Sequence, residues 1–297
     1  MTKNHAGMAH INVYRDQWAE YELLDSGDRR KMERFGPYTL VRPEPKAWWR
    51  PDLDREAWEG ADATLNEQGQ WRFSREIPRE WDVSFLGLTL QIRLRNTSQH
   101  LGVFPEQSRN WQWIMEQAGL AGSDSPKLLN LFGYTGAASM AAAASGFFVT
   151  HVDASGPAIG WAKVNQERSG LFEQVRFILE DAMAFVKREL RRGNRYEAIL
   201  LDPPSWGRGP KKEVWKAETM VPELLELCGR LLSDRPLFLL LTMYNLDASS
   251  LMLGNLLRDG MGGLDGTIEV SELALTHSHS DKVLPKSICG LWKGDSP

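Results

Sequence analysis

Four short stretches of this 297-residue sequence put glycines, carboxylates and prolines directly behind apolar runs. The first is Asn130-Leu-Phe-Gly-Tyr-Thr-Gly136, ahead of an alanine-rich run. Two glycines there let a backbone approach a ligand closely, and the free amides of a following helix favour a carboxylate or phosphate. The Gly-x-x-Gly spacing is not that of a dinucleotide fingerprint, and a structural strand-to-helix turn is equally open. The second is Asp153, 17 positions beyond Gly136, followed by Ala154. A carboxylate there can accept both hydroxyl hydrogens of a ribose, or it can cap the next helix. The third is Glu180-Asp181-Ala182, a carboxylate able to accept from an exocyclic amine, or again a cap. The fourth is Leu201-Asp202-Pro-Pro-Ser-Trp-Gly207. Its prolines donate no N–H and leave carbonyls free to face a ligand, while Trp206 offers a stacking surface for a planar base. The first three together describe a nucleoside pocket with an amino-acid-like or phosphate end.

These residues need elements to hold them on one rim. From Lys127 onward the chain alternates apolar strand, turn and helix. Strands are predicted at 127–132, 147–152, 175–179, 196–201 and 237–241, with helices at 135–145, 157–169, 183–192 and 213–232. That rhythm predicts a parallel sheet with helical crossovers, and in such sheets ligands bind beyond the carboxyl ends of the strands. Extended runs at 268–274 and 288–292 are expected to add an antiparallel edge. The earlier part differs: eight of the twelve tryptophans precede residue 115, among proline-punctuated segments such as Arg42-Pro-Glu-Pro-Lys-Ala-Trp-Trp49. Alternating runs at 71–74 and 83–92, the latter turning at Gly87, read as strands. The expected organisation is a small β-rich domain over 1–96, its first dozen residues loose. A doubly wound α/β Rossmann-like domain follows over 97–297.

As a set, Asn130–Gly136, Asp153, Glu180-Asp181 and Asp202-Pro-Pro-Ser205 resemble the class I S-adenosylmethionine (SAM)-dependent methyltransferases. More narrowly they are similar to the group containing the 23S rRNA large-subunit methyltransferases I and K. His100-Leu-Gly-Val-Phe-Pro-Glu-Gln107 resembles the segment leading into the SAM domain of that group. The resemblance covers residues 100–245, and the group's N-terminal RNA-binding PUA module is expected to be absent. It implies that Asn130, Phe132, Gly133, Tyr134 and Gly136 cradle the methionine end of SAM, that Asp153 with Ala154 holds the ribose, and that Asp181 with Ala182 faces the adenine amine. Asp202, Pro203 and Pro204 would then border the transferred methyl, with Gln107 and Phe104 closing the pocket.

An acceptor carbon such as cytosine C5 needs a covalent activator, normally a cysteine thiolate, and relatives that methylate it carry that cysteine just after the fifth strand. Here that stretch is Leu241-Thr-Met-Tyr-Asn245. Cys228 falls in a helical pattern and Cys289 in a late strand. A nitrogen or oxygen acceptor is therefore expected, oriented by Asp202 and the Pro203 carbonyl and stacked on Trp206. An RNA base, ribosomal RNA by resemblance, is the first substrate reading, with Arg208, Lys211 and Lys212 as a local phosphate-holding patch. A small molecule or protein is the alternative, and a nicotinamide-dependent oxidoreductase or a non-catalytic RNA-binding protein stands behind them. His277 and His279 invite a metal, but two histidines without a clear third ligand read better as a surface loop, so no metal is expected.

Composition bounds the rest. The 35 basic and 39 acidic residues leave a net charge of −4, which argues against a protein that coats nucleic acid by bulk positive charge. Two cysteines without a CxxC pair offer no disulfide framework or thiolate zinc site and suit a reducing compartment. No run approaches the roughly 20 apolar residues of a spanning helix, and Met1–Tyr14 contains no signal-peptide core. A soluble, cytoplasmic protein is expected.

Overall fold

A computed structural model of the protein describes residues 10–14, 18–96, 98–120, 125–208 and 214–295. The chain forms two compact units. One comprises residues 13–109 with 273–286, and the other residues 1–12, 110–272 and 287–297.

The first strand, β1 (His10–Tyr14), joins the large sheet described below. The expectation of a loose first dozen residues is thus corrected from His10 onward, while residues 1–9 lie outside the described ones. The smaller unit has a five-stranded sheet in the order β2 (Tyr21–Gly27), β3 (Arg30–Phe35), β4 (Tyr38–Pro43), β5 (Ala63–Leu65) and β6 (Trp71–Phe73), with α1 (Arg55–Glu59) between β4 and β5. A separate ribbon pairs β7 (Glu80–Phe85) with β8 (Leu88–Arg93). Leu86 and Gly87 join the ribbon at φ 46° and 84°, the left-handed pair that matches the twist of the flanking strands, so the turn stands where Gly87 predicts it. Trp18, Trp58 and Trp71 are buried, whereas Trp48 is 79% exposed. At the centre of this unit Glu33 is fully buried. Burial alone would raise its carboxyl; Arg42, which donates through Nε at 2.9 Å, and Lys31 at 3.3 Å overcome that and hold it down to about 2.

The larger unit continues with α2 (Ser108–Gln117), β9 (Lys127–Leu131), α3 (Ala137–Ala144), β10 (Phe148–Asp153), α4 (Gly156–Arg168), β11 (Val175–Leu179), α5 (Ala182–Arg192) and β12 (Ala198–Leu201). It ends with β13 (Trp206–Arg208), β14 (Val214–Lys216), α6 (Ala217–Leu231), β15 (Phe238–Met243), α7 (Ser250–Gly260), β16 (Gly266–Thr276) and β17 (Val283–Gly294). The sheet order is β1-β16-β17-β15-β12-β9-β10-β11. Strands β11, β10, β9, β12 and β15 run parallel, and β17 runs antiparallel to β15. Strand order reverses between β9 and β12, so their carboxyl ends form the switch point where open sheets of this kind bind ligands.

Alternation along the strands fills both faces. Leu129, Leu131, Val152, Ile199, Leu201, Leu239 and Leu241 pack with α5, α6 and α7 in one core. His151, next to Val152, turns the other way, toward Ser139 of α3. The helices start where the sequence supplies caps. Ser155 Oγ accepts from Ala158 N at 3.3 Å to open α4, and Asp181 accepts from Ala184 N at 2.9 Å to open α5. Gly193 at φ 72° closes α5 with Arg191 and Arg192 in its last turn, cations where the helix dipole favours them.

Two sequence expectations change. The helix expected at 213–232 begins at Ala217, because β13 and β14 pair as a hairpin ahead of it, with Trp206 opposite Lys216 and Gly207 opposite Trp215. The late extended runs do form strands, but β17 sits between β15 and β16, and β1 takes the edge.

Candidate functional site

Parallel register brings the four sequence stretches to one rim. Leu131 lies beside Val152 and Leu201, and Asp153 beside Leu179. Phe132, Asp153, Glu180 and Asp202 therefore follow or end neighbouring strands at the same level.

The loop after β9 is held in a costly conformation. Phe132, Tyr134 and Gly136 have φ of 59°, 50° and 84°, and two non-glycine residues in the left-handed region within one turn must be fixed by their surroundings. Gly133 N donates to Val152 O at 3.0 Å, Gly136 N to Gly133 O at 2.9 Å, and Tyr134 N to Asp153 Oδ2 at 2.8 Å. A Cβ on Gly133 would stand 2.4 Å from His151 Cε1, so the loop lies directly on the imidazole and only glycine fits. Beneath it, Asn130 Nδ2 donates to Ser139 Oγ at 2.8 Å, and Ser139 Oγ contacts His151 Nδ1 at 2.9 Å. The Asn130 side chain is thus spent in a buried polar chain under the loop. Burial keeps the His151 imidazole neutral, its pKa lowered to about 3.

Asp153 is not the cap of α4, since Ser155 fills that place. Its Oδ1 accepts from Ser155 N at 2.8 Å and its Oδ2 from Tyr134 N at 2.8 Å. Burial raises its pKa, opposed by those two amides. Each oxygen retains a second acceptor position, which is what a diol needs. Asp181 does cap α5, as its alternative reading had it, and Ala182 starts that helix, buried. Glu180 pairs with Arg188. Helix α3 opens at Gly136 with no side chain capping its first-turn amides, leaving donors of the kind a carboxylate takes. Acceptors on one strand end and uncapped amides on the next fit the ribose and amino-acid ends of S-adenosylmethionine.

Beyond β12, Asp202 is half-buried, Pro203 buried and Trp206 54% exposed. The Pro204 carbonyl is engaged: Trp215 Nε1 donates to it at 2.7 Å. Trp215 also packs its ring 4.8 Å from that of Phe132. The sequence reading missed this residue; its signal is the alternation Val214-Trp215-Lys216, exposed–buried–exposed. Among the basic residues expected to hold phosphate, Arg208 ends the backbone of β13, and Lys211 and Lys212 lie outside the described residues. Gln107 is buried in a 3-10 turn (Pro105–Gln107) of the other unit, preceded by Phe104.

Of the two histidines considered for metal, His279 is exposed and His277 buried. His277 joins Asp25 and Asp52 with candidate ligand atoms within 4.8 Å of one another. Asp25 already accepts from the backbone of Ser26 (2.8 Å), Asp52 (3.0 Å) and Leu53 (2.8 Å) and from Trp58 Nε1 (3.1 Å). Lys282 Nζ donates to Asp52 at 2.5 Å and supplies the positive charge. The cluster is a hydrogen-bonded clasp closed by a lysine.

The chain is similar to a SAM-dependent methyltransferase from Agrobacterium tumefaciens, with 40% identity, a TM-score of 0.92, and coverage of 97% of this chain and 94% of that one. It is 35% identical over 142 residues to ribosomal RNA large subunit methyltransferase K/L of Hahella chejuensis, covering 46% of this chain and 19% of the relative. Against ribosomal RNA large subunit methyltransferase K of Neisseria meningitidis it is 33% identical over 87 residues, covering 29% and 25%. The chain therefore spans about a fifth to a quarter of the length of these curated relatives. The S-adenosylmethionine-dependent methyltransferase family matches residues 66–235, more than half of the chain. With that match, the relative at 40% identity and the strand-end rim in place, the protein belongs to the S-adenosylmethionine-dependent methyltransferases and uses SAM as methyl donor.

Proposed function

We propose that this methyltransferase acts on a nitrogen of an RNA base, with ribosomal RNA as the substrate class, in the cytoplasm and through a catalytic domain over residues 97–297. The names of the curated relatives support the RNA class. The observation that favours nitrogen over carbon is the state of the two thiols. Cys228 is fully buried and burial pushes its pKa far up; Cys289 is 4% exposed and burial pushes its thiol up to about 12, opposed by Asn110, Thr242 and Ser271. A protonated, enclosed thiol is a poor nucleophile for carbon activation.

When bound, SAM supplies a methyl group on a cationic sulfur. The residues of the chain then have to hold the acceptor about 3–3.5 Å from that carbon and in line with it. In this reading the Asn130–Gly136 loop with Phe132, Gly133 and Tyr134, together with Asp153, Ala154, Asp181 and Ala182, forms the cofactor side. Asp202 and the Pro203 carbonyl accept the hydrogens of the acceptor amine, Pro204 stiffens the segment, and Trp206 stacks on the base. Arg208, Lys211 and Lys212 take the phosphates.

Labelled SAM incubated with ribosomal RNA and the purified protein tests this, with the product nucleoside resolved after digestion. The expected product is an N-methylated nucleoside, formed equally by a Cys228→Ser, Cys289→Ser double variant. A C5-methylated pyrimidine, or loss of activity in a folded double variant, refutes the nitrogen assignment. Label entering only protein or small-molecule fractions refutes RNA.

A further inference from the structure

The segment Asp202-Pro-Pro-Ser205 has an anchoring problem. Neither Pro203 nor Pro204 can donate an N–H, so it is tied mainly through its carbonyls. Two are accounted for, by donors only two residues apart. Trp215 Nε1 donates to Pro204 O at 2.7 Å, and Ala217 N donates to Ser205 O at 3.0 Å. Trp215 is 4% exposed. Its place in the hairpin, opposite Gly207, turns it to the side away from Trp206, which pairs with Lys216 on the outer face. The same indole lies 4.8 Å from the Phe132 ring at 56°, a geometry aromatic pairs favour. Phe132 is a bulky residue at φ 59°, where its backbone needs external support. One side chain therefore touches both sides of the site: the strained loop after β9 and the proline segment after β12.

We propose that Trp215 is the positioning residue that couples the cofactor loop to the acceptor segment, so that ordering of Phe132 by the bound cofactor is passed to the Pro204 carbonyl and to the Asp202–Gly207 backbone. This rests on the assignment of those two stretches as the cofactor and acceptor sides. The hairpin β13–β14, inserted between β12 and α6, then carries Trp206 on a base fixed against the cofactor loop.

Hydrogen exchange of the whole protein, with and without saturating S-adenosylhomocysteine, tests it. In the wild type the ligand should slow exchange in peptides covering 130–136 and also at the amides of Ser205, Trp206 and Gly207. Trp215→Phe keeps a ring against Phe132 and removes the indole N–H. It should leave the ligand-induced slowing at 130–136 in place and cut the ligand-induced slowing at 205–207 about fivefold, the weight of one hydrogen bond. A merely structural loss would speed exchange at 205–207 with and without ligand and leave their ratio unchanged; that result overturns the proposal. Phe132→Leu breaks the coupling from the other end and should give the same reduced ratio, which covers the case of a poorly folded Trp215→Phe. Absence of slowing at both segments in the wild type overturns the site assignment, and the proposal with it.

Discussion

The imidazole under the Asn130–Gly136 loop should govern how this protein's stability falls between pH 7 and pH 5. His151 is fully buried, bonded through Nδ1 to Ser139, and its pKa falls from the usual 6.5 to about 3 because burial disfavours the charged form. In the unfolded chain the same residue titrates normally. As pH drops below 6.5 the unfolded state takes up a proton that the folded state refuses, so stability falls with pH. Between pH 7 and pH 5 the loss from this one group is about 2 kcal/mol. His151→Asn removes the titration and retains an amide to partner Ser139. The packing cost of the smaller side chain is common to both pH values and cancels in the difference, as do contributions from His100 and His277, whose pKa values burial also lowers. Urea unfolding of both proteins at pH 7 and pH 5 gives the four free energies. The wild type should lose about 2 kcal/mol more than the variant. Equal losses would show that His151 is solvated or charged in the folded protein, and the packing of the Gly133 loop on a neutral imidazole would be wrong.

Three further perturbations follow from the same contacts. Gly133→Ala drives a methyl to 2.4 Å from the His151 ring and should cost on the order of 2 kcal/mol, read as a lowered Tm; an unchanged Tm would refute the contact. Asp153→Asn turns one of the two oxygens that accept from Tyr134 and Ser155 into a donor facing an N–H, and should weaken S-adenosylhomocysteine binding roughly 10–100-fold by calorimetry. Wild-type binding should likewise decline as pH falls through the raised pKa of Asp153, at a higher pH than an ordinary carboxylate near about 4 would give; a flat profile would refute the carboxylate's role. Glu33→Gln leaves Arg42 without its buried counter-charge and Lys31 with Glu44 alone and should cost about 3–5 kcal/mol by thermal or urea unfolding. Because Glu33 titrates at about 2 rather than 4.5, its contribution is present above pH 4.5 and is lost only as pH falls toward 2, below the two pH values that read out His151; a loss already complete at pH 5 would refute the pairing.

The parallel core was legible because its strands alternate with helices and because its central strands, Ala198–Leu201 and Phe238–Met243, are buried throughout and read as apolar runs. Val175–Leu179 falls where the pattern puts it, and β9, β10 and β12 differ by a residue or two. Helix starts were less legible for a definite reason. Several residues in Glu180–Ala182 and Asp153–Pro157 could cap, and composition does not say which oxygen reaches which amide; Ser155 and Asp181 take the role, and Asp153 is released to the rim. The second strand of the hairpin ahead of α6, Val214–Lys216, fell inside the expected helix because 213–232 carries a helical apolar spacing. Trp215 occupies one of those positions, yet it is held there by a cross-strand partner and by the Pro204 carbonyl, both outside any local window.

That difference separates the parts of the site. The proposed ribose-side chemistry rests on a single carboxylate at one strand end, and strand ends are local features, so Asp153 could be singled out from its distance to Gly136. What holds the loop in shape is distributed: Asn130, Ser139 and His151 come from β9, α3 and β10, and their meeting follows only once β9 and β10 are paired in register. Asn130 looks like a ligand-facing residue because it precedes the loop, but β-strand alternation points its side chain across the sheet to Ser139, where it supports the loop from below. The apparent freedom of the proline segment fails in the same way. Two missing N–H groups suggest open carbonyls, and the fold instead uses a buried indole to occupy one of them. Residues proposed to meet a ligand were thus visible one at a time, and residues that position them became visible only through pairings between elements distant in sequence.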